Sequence, residues 1–396
     1  MKRSLRILVL IIAGLALLCG AASALAALSN RRLPSGPSTL ERLDPLDKAR
    51  LAETLHLKRT LGEAVWPGWG QADIPIVLWN RQFSFLVGIE DPPPGWEAVP
   101  GEVYCCNSGI GDVLEGQACY RRPSDDPQNF AIRVGDRWAA SMATKWETDA
   151  FLIEIFRRVL PPFLEPIFPY RLLIQPSEVQ ISGVLHETFH AYQAQIAPAR
   201  LEEAERAHAS GEAYWVADVS MRAAWGQEID LLVRALKARS DEEAAGLARR
   251  FLAQRAQRRQ AYGPASEGSG PGLDAALVDY ERQLEWEEGV AKYVELAAWR
   301  KAHATPGYEP LPAMDGDPDF KGYATFDRRW VQEVSQMKRQ AAREGETRFY
   351  YTGMAQAMLL DRLLPGWKER IWAEGVWLET LLGVASLTAV GLPGAG

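Results

Sequence analysis

The stretch His186-Glu187-Thr188-Phe189-His190 constrains this chain more than any other, because only a helix brings two histidines four residues apart onto one face. Read as a helix from about Glu178 to Gln195, the segment places both imidazoles one turn apart. They are then within reach of a single zinc ion, with Glu187 beside it. Pro176 stands before the helix, Ser177 and Gln180 spell an S-x-x-Q capping box, and Pro198 lies just past the expected end. The chain has only five histidines, so this pair draws on a scarce residue type. The plain alternative is an amphipathic helix that happens to carry two of them.

At the start of the chain, Lys2, Arg3 and Arg6 precede an apolar run from Ile7 to Leu28. A basic segment followed by such a run reads as an export signal, with Ala22-Ser23-Ala24 or Ala24-Leu25-Ala26 as the cleavage site. Left uncleaved, the run is long enough for a single N-terminal membrane anchor. Either way the protein is expected to be exported: periplasmic, secreted or held at the outer face of the membrane. Bulky Leu18 before Cys19 argues against lipidation. The full chain of 396 residues has a formal charge of −7, and losing Lys2, Arg3 and Arg6 with the signal makes it −10. Such an acidic chain, with no long basic block, argues against nucleic acid or anionic lipid as a partner. Three cysteines remain outside the signal. Cys119 is expected to pair with Cys105 or Cys106, closing a short structural loop.

The organisation predicted is α+β. Residues 1–28 form the signal or anchor, and 29–70 a proline-bearing linker with a helix from Pro45 to Gly62. Residues 71–198 form a β-rich half that ends in the histidine helix. Its strands are Ile74 to Trp79, Phe83 to Val87, and a hairpin of Phe130 to Val134 with Trp138 to Met142; a helix from Glu147 to Val159 follows. Residues 199–396 form a helical half. Helices are expected within Arg200 to Lys237, from Ser240 with its Glu243 capping box to Tyr262, and at Leu273 to Lys301, Phe326 to Ala342, Tyr350 to Leu364 and Trp367 to Leu382. The glycine-rich run 263–272 is a break between helices. The apolar end from Trp377 carries Glu379 and is short for a membrane span, which favours a buried terminal helix.

A catalytic zinc takes a third protein ligand and leaves a position for water. His208 and His303 are available, but the segment Trp286-Glu287-Glu288-Gly289-Val290-Ala291-Lys292-Tyr293-Val294-Glu295 is the stronger source. It resembles the second zinc helix of the gluzincin metallopeptidases of the aminopeptidase N type, which reads roughly W-L-N-E-G-F-A-x-Y-x-E. The resemblance implies Glu288 as ligand, with Gly289, Ala291, Tyr293 and Glu295 fitting the flanking pattern. Helical periodicity alone favours Glu287, which shares a face with Leu284, Ala291 and Val294, whereas Glu288 falls with Glu285, Lys292 and Glu295. The family also places this glutamate shortly after the histidines, whereas here Ala191 to Glu287 intervene, so an inserted helical hairpin is expected.

Tyr350-Tyr351-Thr352-Gly353 resembles the Y-x-x-G segment that carries the family's oxyanion-binding tyrosine, which implies Tyr350, with Tyr351 the runner-up. The resemblance covers these three segments and implies a zincin-like fold: a small mixed sheet in the N-terminal half, a mainly helical C-terminal half and the active-site helix at their junction. It further implies a zinc metallopeptidase acting on a peptide or protein. His186, His190 and Glu288 would bind the zinc, Glu187 would act as general base, and Tyr350 would stabilise the oxyanion. The motif specifies metal and water but not substrate. A zinc hydrolase of another amide or ester, and an inactive binding protein on the same fold, are therefore the alternatives.

Overall fold

The computed structural model describes residues 2–102, 118–214, 219–261, 274–340, 343 and 345–388, with backbone alone for 2–13, 15 and 16. Helix α1 (Lys2–Asn30) leads through an extended linker to α2 (Pro45–Val65). Pro45 starts α2 because its missing N–H costs nothing in a first turn, and Asp44 Oδ1 accepts the Leu46 N–H at 2.9 Å.

Six strands follow: β1 (Ile76–Trp79), β2 (Phe83–Val87), β3 (Glu97–Ala98), β4 (Cys119–Pro123), β5 (Phe130–Val134) and β6 (Arg137–Ala143). They form one mixed sheet in the order β3-β4-β2-β1-β6-β5. The β1–β6 pair is parallel and the rest antiparallel. Central β1 is apolar throughout because both its faces are covered, whereas β5 at the edge alternates buried and more exposed positions. Cys119 is buried in β4, and its expected partners Cys105 and Cys106 lie outside the described residues.

Helices α3 (Lys145–Val159) and α4 (Ser177–Ile196) come next. Helix α4 is sandwiched between β6 and β5 on one side and the later helix α9 on the other, so nearly all of its residues are buried. The expected capping box does not form. Ser177 is the first helical residue, and its hydroxyl donates to Asp317 Oδ2 at 2.6 Å while accepting from Arg50 Nε at 3.2 Å. Gln180 Nε2 donates instead to the Ala143 carbonyl at 2.6 Å, tying α4 to the end of β6. Pro198, placed by sequence just beyond α4, opens α5 (Pro198–Ala207).

The helical half continues with α6 (Val219–Leu236), α7 (Asp241–Ala261) and α8 (Ala275–Leu284). A π turn (Glu285–Gly289) leads into α9 (Val290–Ala304), followed by α10 (Phe326–Gln340) and α11 (Thr347–Leu363). The expected span from Trp367 to Leu382 is two helices, α12 (Trp367–Arg370) and α13 (Leu378–Thr388), separated by a turn in which Gly375 adopts φ +70°. The helical stretch expected within Arg200 to Lys237 comprises α5 and α6, with a 3₁₀ segment (His208–Ala213) following α5. At the start of α7, Ser240 Oγ accepts the Glu243 N–H at 3.1 Å, while the Glu243 carboxylate reaches back to the Arg239 N–H at 3.0 Å, one residue beyond the usual capping partner. The glycine-rich run 263–272 lies outside the described residues.

A buried ionic cluster joins these helices. Arg255 Nη2 lies 2.6 Å from Glu285 Oε1, and Arg258 Nη1 lies 2.6 Å from Glu281 Oε1. Glu228 contacts both arginines, and Glu379 contacts Arg255. Among the described residues, no helix is long and apolar enough to cross a membrane.

Candidate metal centre

Helix α4 delivers His186, Glu187 and His190, all buried, to the surface that it shares with the π turn. His186 Nε2 and His190 Nε2 lie 3.0 Å apart, and Glu288 Oε2 sits 3.1 Å from the first and 3.3 Å from the second. Four ligands at about 2.0–2.1 Å around a tetrahedral metal stand about 3.3 Å from one another, so this triangle fits three of four positions. The donor set fits as well. Gln193 Nε2 donates to the Trp286 and Glu287 carbonyls at 2.9 and 3.2 Å. That orientation points Gln193 Oε1 at His190 Nδ1, 2.9 Å away, so Nδ1 carries the proton and Nε2 presents a lone pair. His186 Nδ1 faces Glu295 Oε2 at 3.6 Å, which favours the same tautomer. Two ring nitrogens and a carboxylate oxygen thus converge within the spacing that the ligands of one metal ion require. The buried His186–His190–Glu288 group could accommodate a metal ion.

The π turn explains how Glu288 reaches this point. A straight α-helix with 3.6 residues per turn would group it with Glu285, Lys292 and Glu295 on a charged face. In the structure all four are buried, and the extra residue in the π turn sends its side chains in different directions. Glu285 joins Arg255, and it also accepts from Thr352 Oγ1 at 2.5 Å and Gln356 Nε2 at 2.8 Å. Trp286 packs beneath the Arg200 guanidinium. Glu287 meets His208 Nε2 at 2.9 Å, and Glu288 meets the two histidines.

Two glycines make the arrangement possible. A Cβ on Gly289 would lie 2.5 Å from Gly353 Cα, and one on Gly353 would lie 2.5 Å from the Glu285 carbonyl oxygen. Backbone therefore meets backbone where α11 crosses the π turn. This close crossing brings Tyr350, one helical turn before Gly353, over His186. The two rings are nearly parallel, at 8°, with centroids 6.0 Å apart. The Tyr350 phenol also faces the charge of Glu288. Tyr351 points elsewhere, toward Lys292 and the charge of Glu333.

The other histidine candidates stand apart from the triangle. His208 bridges Glu287 and Glu346, and His303 stacks on Phe326. Phe130 of the edge strand β5 covers His190, with centroids 4.5 Å apart. Neither Phe130 nor Gln193 is indicated by the sequence motifs, although Gln193 stands three residues after His190 on the same face of a helix and could have been sought there.

Electrostatics separates the roles. Burial pushes the Glu187 carboxyl up to about 7, against the pull of His186 and His190, and its Oε2 has no hydrogen-bond partner. Burial also opposes ionisation of Glu288, but the adjacent histidines outweigh it and hold this carboxyl well below the usual range. Burial lowers the His186 pKa, and the neighbouring Glu288 and Glu295 carboxylates outweigh that effect, bringing it up to about 10, so without a metal this ring carries the proton that a bound cation would displace. Burial, followed by the charge on Glu288, raises the Tyr350 phenol far above its ordinary value, so it remains a donor.

Removing Gln193 should loosen the centre without touching a ligand. Gln193→Ala is expected to weaken metal affinity about 10- to 100-fold, the usual effect of losing an outer partner of a ligating histidine. Competition against a chromophoric chelator would measure this, and unchanged affinity would show that Gln193 only caps the two carbonyls. No family model, no curated protein and no solved structure matches the chain.

Proposed function

We propose that this protein is an exported zinc-dependent hydrolase, a metallopeptidase of the gluzincin type. The carrying observation is the convergence of His186, His190 and Glu288 from segments far apart in sequence, with Glu187 and Tyr350 beside them. Two imidazoles and one carboxylate are a donor set suited to zinc, and three protein ligands leave one position open for chemistry. Bound there, zinc lowers the pKa of water toward neutrality and polarises a substrate carbonyl.

The chain's own residues account for the remaining steps. Glu187, with a carboxyl near neutral pKa and an unpartnered oxygen, takes the proton from water and passes it to the leaving amine. Tyr350 donates to the oxygen on which negative charge develops. Gln193 fixes the tautomer and orientation of His190, and Glu295 faces the outer nitrogen of His186. A zincin-like cleft would run along β5, which pairs only with β6 among the described residues and could add an extended peptide as a further strand.

Native mass spectrometry of the purified chain should find one zinc per molecule. Digestion of a peptide pool should stop on chelation and resume when zinc is returned. A folded chain that takes up no zinc, or one that holds zinc but cleaves no peptide, would overturn the proposal.

A further inference from the structure

Far from the metal centre, one surface is unusually apolar. Phe151, Ile155 and Val159 recur every fourth residue on the outer side of α3, so they form a single stripe. Past Pro161-Pro162, Phe163, Ile167 and Leu172 are exposed as well, on a segment that packs with α3 through Ile153 and Tyr170. Exposure is 63% at Phe151, 73% at Val159, 74% at Phe163 and 81% at Leu172. The opposite side of α3 is satisfied, since Ile153 is buried with Leu33 and Tyr170. Scattered exposed apolar residues need no explanation, but a contiguous set marks a contact surface.

What covers it is indicated by the chain next to it. Helix α1 packs against the 3₁₀ turns Glu165–Ile167 and Tyr170–Leu172, and Asn30 Nδ2 donates to the Phe168 carbonyl at 2.8 Å. Leu33, just after the helix, is buried in the same cluster, so the end of α1 is fixed against this surface. Helix α1 exposes Leu17, Leu18, Leu25 and Leu28, continuing the apolar surface into a segment whose sequence is apolar from Ile7 onward. The same segments carry Arg31, Arg32, Arg157, Arg158 and Arg171, of which Arg157, Arg158 and Arg171 are paired with Glu165, Glu154 and Asp319. Long arginine stems can lie on apolar surface while their guanidinium groups reach phosphate. The acidic net charge of the whole chain gives no attraction to lipid, so the contact has to arise from this local combination.

We propose that this face, formed by α3, the segment from Phe163 to Leu172 and the adjoining part of α1, rests in the interfacial layer of a phospholipid bilayer. The folded domain would then be held in one orientation on the membrane, its apolar side chains entering the headgroup boundary as those of interfacial helices do.

Photocrosslinking of the full chain tests this directly. The chain is reconstituted in vesicles of phosphatidylcholine with a minor share of phosphatidylglycerol, with p-benzoylphenylalanine replacing Phe163 or Leu172. Val331, exposed on α10, serves as the control position. All three side chains are exposed, so folding should tolerate the replacement. Lipid adducts, read by mass spectrometry, should be about tenfold or more abundant at Phe163 and Leu172 than at Val331. Equal yields at all three positions would overturn the proposal. So would adducts at Phe163 and Leu172 formed with a second copy, or with another segment of the same chain, in place of lipid.

Discussion

Glu187→Gln should lower the turnover of a cleavable peptide by about 10²- to 10⁴-fold, the contribution of a positioned general base, while leaving fold and metal content intact. The reason lies in how Glu187 differs from Glu288. Glu288 is committed to the histidine pair, which keeps it ionised. Glu187 is buried beside the same histidines, and one of its oxygens has no hydrogen-bond partner. Burial brings its pKa up to about 7, so the two protonation states have similar free energies near neutral pH. An amide fills the same volume but cannot accept the proton. Zinc content and kcat should be measured on the same preparation, because a drop in both would indicate a disturbed centre. Near-wild-type turnover with zinc retained would remove Glu187 from the proposed role.

Helix α4 is legible in the sequence because proline, apolar spacing and the paired histidines agree on its position, although its N-terminal polar residues are not. Ser177 and Gln180 match a local cap, yet each is used by a distant segment, and a pattern four residues long cannot register Asp317 or Ala143 as competing partners. The metal-facing glutamate shows the same limit from the other side. Periodicity of 3.6 residues favours Glu287, and the π turn invalidates that periodicity at the position where the answer is needed. The resemblance of the segment, through Gly289, Ala291, Tyr293 and Glu295, points to Glu288 instead, and the physical meaning of that glycine appears once Gly353 is seen against it.

The long stretch between the histidines and Glu288 is expected from the sequence to be a helical hairpin, and its helix α7 is rich in arginine and glutamine, residue types that mostly lie in solvent. Its Arg255 and Arg258 are instead fully buried, and Arg255 holds Glu285 at the first position of the π turn. The inserted hairpin of α6 and α7 therefore bears on the centre through Glu285, three residues from the ligand. Such a pairing cannot be read from composition, since buried and exposed arginines carry the same letter and only the arrangement of Glu228, Glu281, Glu285 and Glu379 around them pays for their desolvation.

Tyr350→Phe should lower kcat about 10²- to 10³-fold, equivalent to roughly 3 to 4 kcal/mol, with little change in KM. A hydrogen bond made to charge that develops only in the transition state affects the rate without affecting ground-state binding. Tyr350 is placed for this, with its ring stacked on His186 and its hydroxyl near Glu288. Its phenol is held protonated by burial and by the neighbouring carboxylate, so it can donate without ionising. Phenylalanine preserves the ring and its packing. The adjacent residue supplies the control, since Tyr351 faces Lys292 and Glu333. Tyr351→Phe removes a hydroxyl that lies away from the histidines and should leave kcat near wild type. Thermal unfolding and steady-state kinetics on both variants distinguish the two roles. An exchange of the two outcomes would make Tyr351 the donor, and full activity in both variants would leave Tyr350 as a packing residue over His186.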